Sequence, residues 1–164
     1  AYAGVADLSG EWYAKPPKIL GDVLSTTSGT CVPTLNTHFI AQRINVPGGS
    51  LGVSGILRVS DMLVCSSSAN NKISNLRFGG VTICLNSAGA LITASRSVRR
   101  LGLVYNQDDQ NKQLYQSNVF YGMTNGAVTQ TTIDSTVDQY VDVTCGMSAA
   151  TDWCGVQSLM VEVL

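Results

Sequence analysis

Charge is scarce in this chain. Lys, Arg, Asp and Glu together make up 13 % of its 164 residues, about half the usual share of roughly 25 %. A soluble chain so short of charge often hides surface against partners, so an oligomer is expected. The net charge is −1 and the pI about 5.7, which offers a polyanion no attractive field, and no nucleic-acid partner is expected. Long apolar runs are missing too. None approaches the roughly 20 residues of a membrane span, and no basic-then-apolar leader opens the sequence, so a soluble protein without a membrane partner is expected. A start at Ala1 fits removal of an initiator Met from a complete small protein, and a fragment of a longer one would look the same.

Histidine is nearly absent. His38 is the single one, so a Ser-His-Asp triad or a His-rich metal site either uses it or does not exist. It opens a predicted strand, where a histidine is far more often structural or solvated than catalytic. The five cysteines, Cys31, Cys65, Cys84, Cys145 and Cys154, are odd in number and lack Cys-x-x-Cys spacing. That argues against a disulfide framework and against zinc. Cys65, Cys84 and Cys145 lie in apolar-rich segments, where a free thiol packs as a small hydrophobe. Buried thiols made in a reducing cytoplasm are the expectation, with a Cys145–Cys154 bridge across one loop as the exception to look for.

Helix signals are also missing. No segment sustains an apolar i, i+3, i+4 stripe, and Val, Ile and Thr abound where helix formers would be needed. What is present reads as strands: "HFIAQRINVP", "ILRVSDMLVCSS", "KISNLRF", "VTICL", "LITASRSVRRLGLVYN", "QLYQSNVFYG", "AVTQTTID", "QYVDVTCGMSA" and "QSLMVEVL". A glycine-rich loop, Gly48 to Gly55, separates the first two. The clearest period-two signal places Val141, Val143, Cys145 and Met147 inward and Asp142 and Thr144 outward. Short strands separated by Gly, Asn, Asp and Ser predict an all-β antiparallel sandwich, most simply a jelly roll, over residues 36–164. Residues 1–35 hold Pro16-Pro17 and the tract "STTSGT" and read as an extended N-terminal arm or linker.

The stretch "SSSANNKISNLRFGG", Ser66 to Gly80, raises the question of a phosphate loop. Such a loop needs a helix after its glycines, and a strand follows instead. Asn70-Asn71, which tolerate positive φ, are expected to turn one strand into the next. Gly79-Gly80 then release the chain into Val81, and the whole stretch reads as hairpin scaffolding.

Few residues are placed to carry chemistry. Asp108-Asp109 in "YNQDDQNKQ" lack the spacing of a calcium loop, and neighbours on a strand or tight turn point apart, so a solvated loop tip is expected. Arg96, Arg99 and Arg100 form the local basic cluster, with Arg96 and Arg100 on one parity. Without interleaved aromatics they suit inter-subunit or loop salt bridges better than nucleic acid. In "SLMVEVL", Leu159, Val161 and Val163 share one face, while Met160, Glu162 and Leu164 share the other. An apolar strip on both faces of a strand suggests a buried subunit interface, and a strand covered by the chain's own arm is the other reading. Met160, Leu164, Arg96 and Arg100 are therefore candidate interface residues. The amide-rich tip Asn106, Gln107, Asp108, Asp109 and Gln110 is the candidate receptor-facing loop. Among the aromatics, Tyr2, Trp12, Tyr13, Tyr115, Tyr121 and Trp153 could stack on sugars or anchor subunits.

An ordered set of motifs in the second half of the chain resembles a known family. "LGVSGILRVS", then "SANNKISNLRFGG", then "TIDSTVDQYVDVTCGMSAATDWCGVQSLMVEVL" is similar to a small β-sandwich domain of tailed-bacteriophage virions, found at the distal ends of tail fibres and tailspikes and in head appendages. The resemblance runs from Val46 to Leu164 and leaves the arm unmatched. It implies a non-enzymatic homotrimer with a TNF- or C1q-like jelly roll, no catalytic centre and no cofactor. It further implies a place in the virion, assembled in the bacterial host cytoplasm, with other virion proteins and host surface polysaccharide as partners. A capsid decoration protein that bridges capsid subunits is the alternative. A depolymerase ranks last, because the acidic residues are scattered and the chain is too short for a repetitive β-helix.

Overall fold

A computed structural model describes residues 5–6, 12–13, 18–24, 39–86, 97–116 and 128–164. Among these there is no helix. The strands are β1 (Val5–Ala6), β2 (Trp12–Tyr13), β3 (Lys18–Leu24), β4 (Phe39–Val46), β5 (Ile56–Cys65) and β6 (Lys72–Phe78), followed by β7 (Val81–Asn86), β8 (Ser97–Asn106), β9 (Gln113–Gln116), β10 (Val128–Thr131), β11 (Gln139–Met147) and β12 (Cys154–Val163). Among the described residues, β1 and β2 pair with each other alone. The rest form a six-stranded sheet, β10-β9-β8-β5-β12-β3, and a four-stranded sheet, β4-β11-β6-β7, antiparallel throughout.

The pairing partners are nested. β3 pairs with β12, β4 with β11, β5 with β8 and β6 with β7. A long hairpin folded across two sheets gives this nesting, and it is the topology of a jelly roll. β9 and β10 extend the six-stranded sheet beyond β8.

Strand alternation builds the core. β5 buries every second residue, Leu57, Val59, Asp61, Leu63 and Cys65, and β6 buries Lys72, Ser74, Leu76 and Phe78. Leu57, Val59, Leu63, Val104, Leu159 and Val161 from one sheet join Leu76, Phe78, Ile83, Val141 and Val143 from the other in a single buried cluster. At Gly102 on β8 the sheets approach so closely that a Cβ would stand 3.2 Å from both Ile83 and Leu76.

Several expectations are corrected here. Lys18–Leu24 lies in the segment read as an arm, yet it is the edge strand beside β12. Its apolar residues earn that place, since Leu20 packs against the core. The stretch from Ser66 to Gly80 also divides differently from the reading as one hairpin. β5 and β6 belong to different sheets, so Ser66 to Asn71 is a crossover between layers. Asp108 is the one non-glycine residue with positive φ among those described, so Asn70 and Asn71 do not use that region. Gly79 and Gly80, with φ of 52° and 81°, form the real hairpin turn, joining Phe78 to its partner Val81. Two successive positive φ values match the twist of the flanking strands.

The cysteine expectation is also corrected. Cys65 and Cys154 face each other across β5 and β12 and form a disulfide. Cys145 sits on β11 in the other sheet, opposite Ser74, so it cannot reach Cys154. Cys145 and Cys84 are buried. Asp142 and Thr144, expected to face outward, do so and are nevertheless buried, at 5 % and 2 % exposure. Arg43 covers Asp142 from the neighbouring strand.

Candidate self-association face

The six-stranded sheet has one face in the core, and the alternation that fills the core leaves a second set of residues pointing away. Registers of β12, β5, β8 and β9 place these in cross-strand rows. At one end stand Leu164, Ile56, Tyr105 and Leu114. The next row is Ile19, Glu162, Arg58 and Leu103, and beside it lie Met160, Ser60 and Leu101. Met62 and Val64 continue it towards Arg99. Ile19, Leu164 and Tyr105 are 59 %, 42 % and 40 % exposed, and Met160, Leu101, Leu103, Ile56 and Leu114 are half-buried.

This outer face therefore mixes large apolar side chains with polar positions: Met160 lies between Asp22 and Ser60, and Met62 between Ser158 and Arg99. Arg58 donates from Nε to Glu162 Oε2 at 2.7 Å and from Nη2 to Oε1 at 3.0 Å. Those bonds hold the Glu162 carboxyl below its usual range and raise the Arg58 guanidinium. The face thus carries a charge pair that is already neutralised within the chain. Large apolar side chains clustered on an outer face among polar ones are the kind of surface that interfaces use.

The predicted interface residues fare unequally. Met160 and Leu164 both lie on this face. Arg96 lies outside the described residues. Arg100 is turned into the core, 3 % exposed, with Nε donating to Asp61 Oδ1 at 2.9 Å, Nη2 to Asp61 Oδ2, and Nη1 to the Ser74 carbonyl at 3.0 Å. It ties the two sheets within one chain, which corrects its assignment to an interface. Strand parity decides this: Arg100 pairs with inward-facing Asp61, and Arg99 is exposed.

The predicted receptor-facing loop is largely spent on its own architecture. Asn106 is buried and donates to the Gly52 carbonyl at 2.5 Å and to Ser135 Oγ at 3.2 Å, and it accepts from Gln113. It belongs to the interior of the loop, which corrects its place on the receptor-facing tip. The Gln110 carbonyl accepts from Gln113 and Ser135. Asp109 accepts from the Asn111 N–H and sits 3.3 Å from Lys112, which lowers its pKa. Asp108 accepts from Ser54 at 2.6 Å. Gln107 remains exposed.

His38, Tyr2, Tyr121 and Cys31 lie outside the described residues. Sequence reading missed Leu101, Leu103 and Tyr105. Their signal was present in "RRLGLVYN", where Arg100, Gly102 and Val104 take the inward parity and leave three large apolar side chains outward.

No family model matches the chain, and no curated protein matches it.

Proposed function

We propose that the protein is a non-enzymatic structural component of a tailed-phage virion, a tail-fibre, tailspike or head-fibre module that assembles with copies of itself, most simply as a trimer. The large apolar side chains that the six-stranded sheet turns away from its core, Leu164, Tyr105, Leu103 and Leu101 among them, carry this reading. The motif resemblance supplies the virion context and a TNF- or C1q-like arrangement. The lack of charge agrees with surface hidden by assembly, and the cross-strand disulfide suits a particle that must outlast its host cell. Attachment to other virion proteins through the N-terminal segment belongs to the same proposal.

Light scattering coupled to size exclusion tests it. The expected mass is three times the chain's 17.3 kDa. Met160→Lys with Leu164→Glu is expected to give folded chains of lower mass, because two charges then stand among those apolar side chains. A wild-type monomer would overturn the fibre reading and favour a decoration protein whose face is covered on the capsid. An oligomer insensitive to both substitutions would place the interface elsewhere.

A further inference from the structure

The first residue of β6 places a primary amine in the interior. The Lys72 side chain is wholly inaccessible, a position that lysine almost never takes without a partner. Its partner is Asp152, in the crossover just before β12, whose side chain is 2 % exposed. Nζ stands 3.7 Å from Asp152 Oδ2, and that oxygen is buried with no hydrogen-bond partner among the described residues. The other carboxyl oxygen is joined to the amine through a hydroxyl. Nζ donates to Ser68 Oγ at 2.7 Å, and Ser68 Oγ donates to Asp152 Oδ1 at 2.6 Å. A second hydroxyl, Ser66 Oγ, donates to the same Oδ1 at 3.0 Å, and Nζ also donates to the Asn70 carbonyl at 3.2 Å.

We propose that Lys72 and Asp152 condense with each other into an isopeptide bond, a cross-link within the chain that forms without a further enzyme or cofactor. The ionised pair is the resting form, because hydrogen bonds and the ammonium outweigh the effect of burial on Asp152. Burial penalises both charges and so keeps the neutral form within reach. The hydrogen-bonded path leads to it: Ser68 passes its proton to Oδ1 as it takes one from Nζ, giving a carboxylic acid and an amine. Rotation about Cε–Nζ then turns the freed lone pair from Ser68 towards Cγ. The Nζ–Cγ bond forms, a second proton passes from Nζ through Ser68 to Oδ1, and the Cγ–Oδ1 bond breaks. Oδ1 leaves as water with both protons, Oδ2 remains as the amide oxygen, and Nζ retains one hydrogen. Nothing is oxidised or reduced. Ser68 is half-buried, so the water has a short way out, and an uncharged amide replaces a buried ion pair, which is expensive to desolvate. The fold holds amine and carboxyl together, which removes the need for an encounter between them. Chains that have not condensed retain an ionised Asp152. The bond ties the start of β6, in the four-stranded sheet, to the approach to β12, in the six-stranded one, beside the Cys65–Cys154 bridge. It lies within one chain, so it stands whichever assembly forms.

Intact-mass spectrometry of the full chain, incubated folded and then reduced and denatured, tests this. The chain is expected to be one water lighter than its sequence. Trypsin does not cut after an acylated lysine, so digestion is expected to yield a branched peptide joining Lys72 to Asp152. Lys72→Arg keeps the charge but furnishes no neutral amine, and it should show the full mass of its sequence. Ser68→Ala retains both reacting groups and removes the relay, which should slow condensation roughly a hundredfold. Ser68→Thr restores a hydroxyl and should recover the rate, a rescue that a merely structural serine would not require. The parent chain carries the deciding readout, so a variant that fails to fold does not shield the proposal. A parent that holds its full mass after prolonged incubation overturns it and leaves an ion pair only. A missing water that maps to another residue, such as a cyclised aspartate, overturns it as well. Ser68→Ala condensing at the parental rate would overturn the relay through Ser68.

Discussion

At the scale of single residues, the core of this jelly roll is held in part by a charge that its composition would not lead one to bury. Arg100 and Asp61 are cross-strand partners facing inward, both nearly inaccessible. Burial works against the guanidinium charge, and the Asp61 carboxylate more than restores it, so the Arg100 pKa ends raised. The third donor reaches the Ser74 carbonyl on the opposite sheet. Removing one partner leaves the other charged and unpaired in a dry interior. Asp61→Ala is therefore expected to cost about 3–5 kcal/mol, and Asp61→Leu with Arg100→Met to recover most of it; urea unfolding of the parent and the two variants measures both. Equal destabilisation by the single and the double change would mean that packing, rather than charge, sets the cost. The alternation of Val141, Val143, Cys145 and Met147 was legible because period two depends only on neighbours in sequence. The burial of Arg100 was not, because it depends on which residue of another strand lies opposite.

Elements tell a related story at the crossover from β5 to β6. Ser66 N–H donates to the Trp153 carbonyl at 2.8 Å, Trp153 N–H to Ser66 Oγ at 3.1 Å, and Ser148 N–H to the Asn71 carbonyl at 3.0 Å. The β5–β6 and β11–β12 crossovers are thereby laced together at one end of the sandwich. Beneath them, Asp152 accepts from Ser66 and Ser68, with the Lys72 ammonium 3.7 Å away. Lys72 is wholly buried and also donates to Ser68 Oγ and the Asn70 carbonyl. Burial pushes the Asp152 carboxyl up, but hydrogen bonds from Ser68, Asn70 and Ser66 together with Lys72 bring it below its ordinary value of 3.8.

A depressed carboxyl contributes stability that is fully present above the ordinary value and is lost as pH falls through the depressed one. Acid should therefore loosen this end of the molecule, and Asp152→Asn should flatten the acid limb of a plot of melting temperature against pH. An acid limb that survives the substitution would assign the effect to other carboxylates. The Cys65–Cys154 bridge sits beside the same end and closes a separation of 89 residues. By the chain-entropy argument it contributes about 4–5 kcal/mol, so thorough reduction should lower the melting temperature by many degrees, which calorimetry with and without reductant measures. The phosphate-loop question was answerable from sequence, because no helix followed the glycines. The sheet change was hidden, since a turn and a crossover use the same polar residues.

For the whole molecule, the decisive matter is whether the outer face of the six-stranded sheet is covered, and the Arg58–Glu162 pair reports on it. In the single chain the Arg58 side chain is 38 % exposed, and such a pair is worth at most about 1 kcal/mol. Covering the face removes that water. Loss of one partner then leaves a desolvated charge, which costs about 2 kcal/mol or more of association. Glu162→Gln should accordingly change monomer unfolding little and shift the assembly strongly towards lower mass on dilution. Arg58→Met with Glu162→Leu should preserve the assembly, because it replaces the pair with apolar volume. The pH dependence has the same origin. Glu162 is held below its ordinary value of 4.5 by Arg58, so support from this pair for the proposed assembly should be complete above that value and decline as pH falls through the depressed one. Mass measured against both dilution and pH separates the cases: an assembly indifferent to Glu162→Gln at every dilution would leave this face open to solvent and move the contact between chains to another surface.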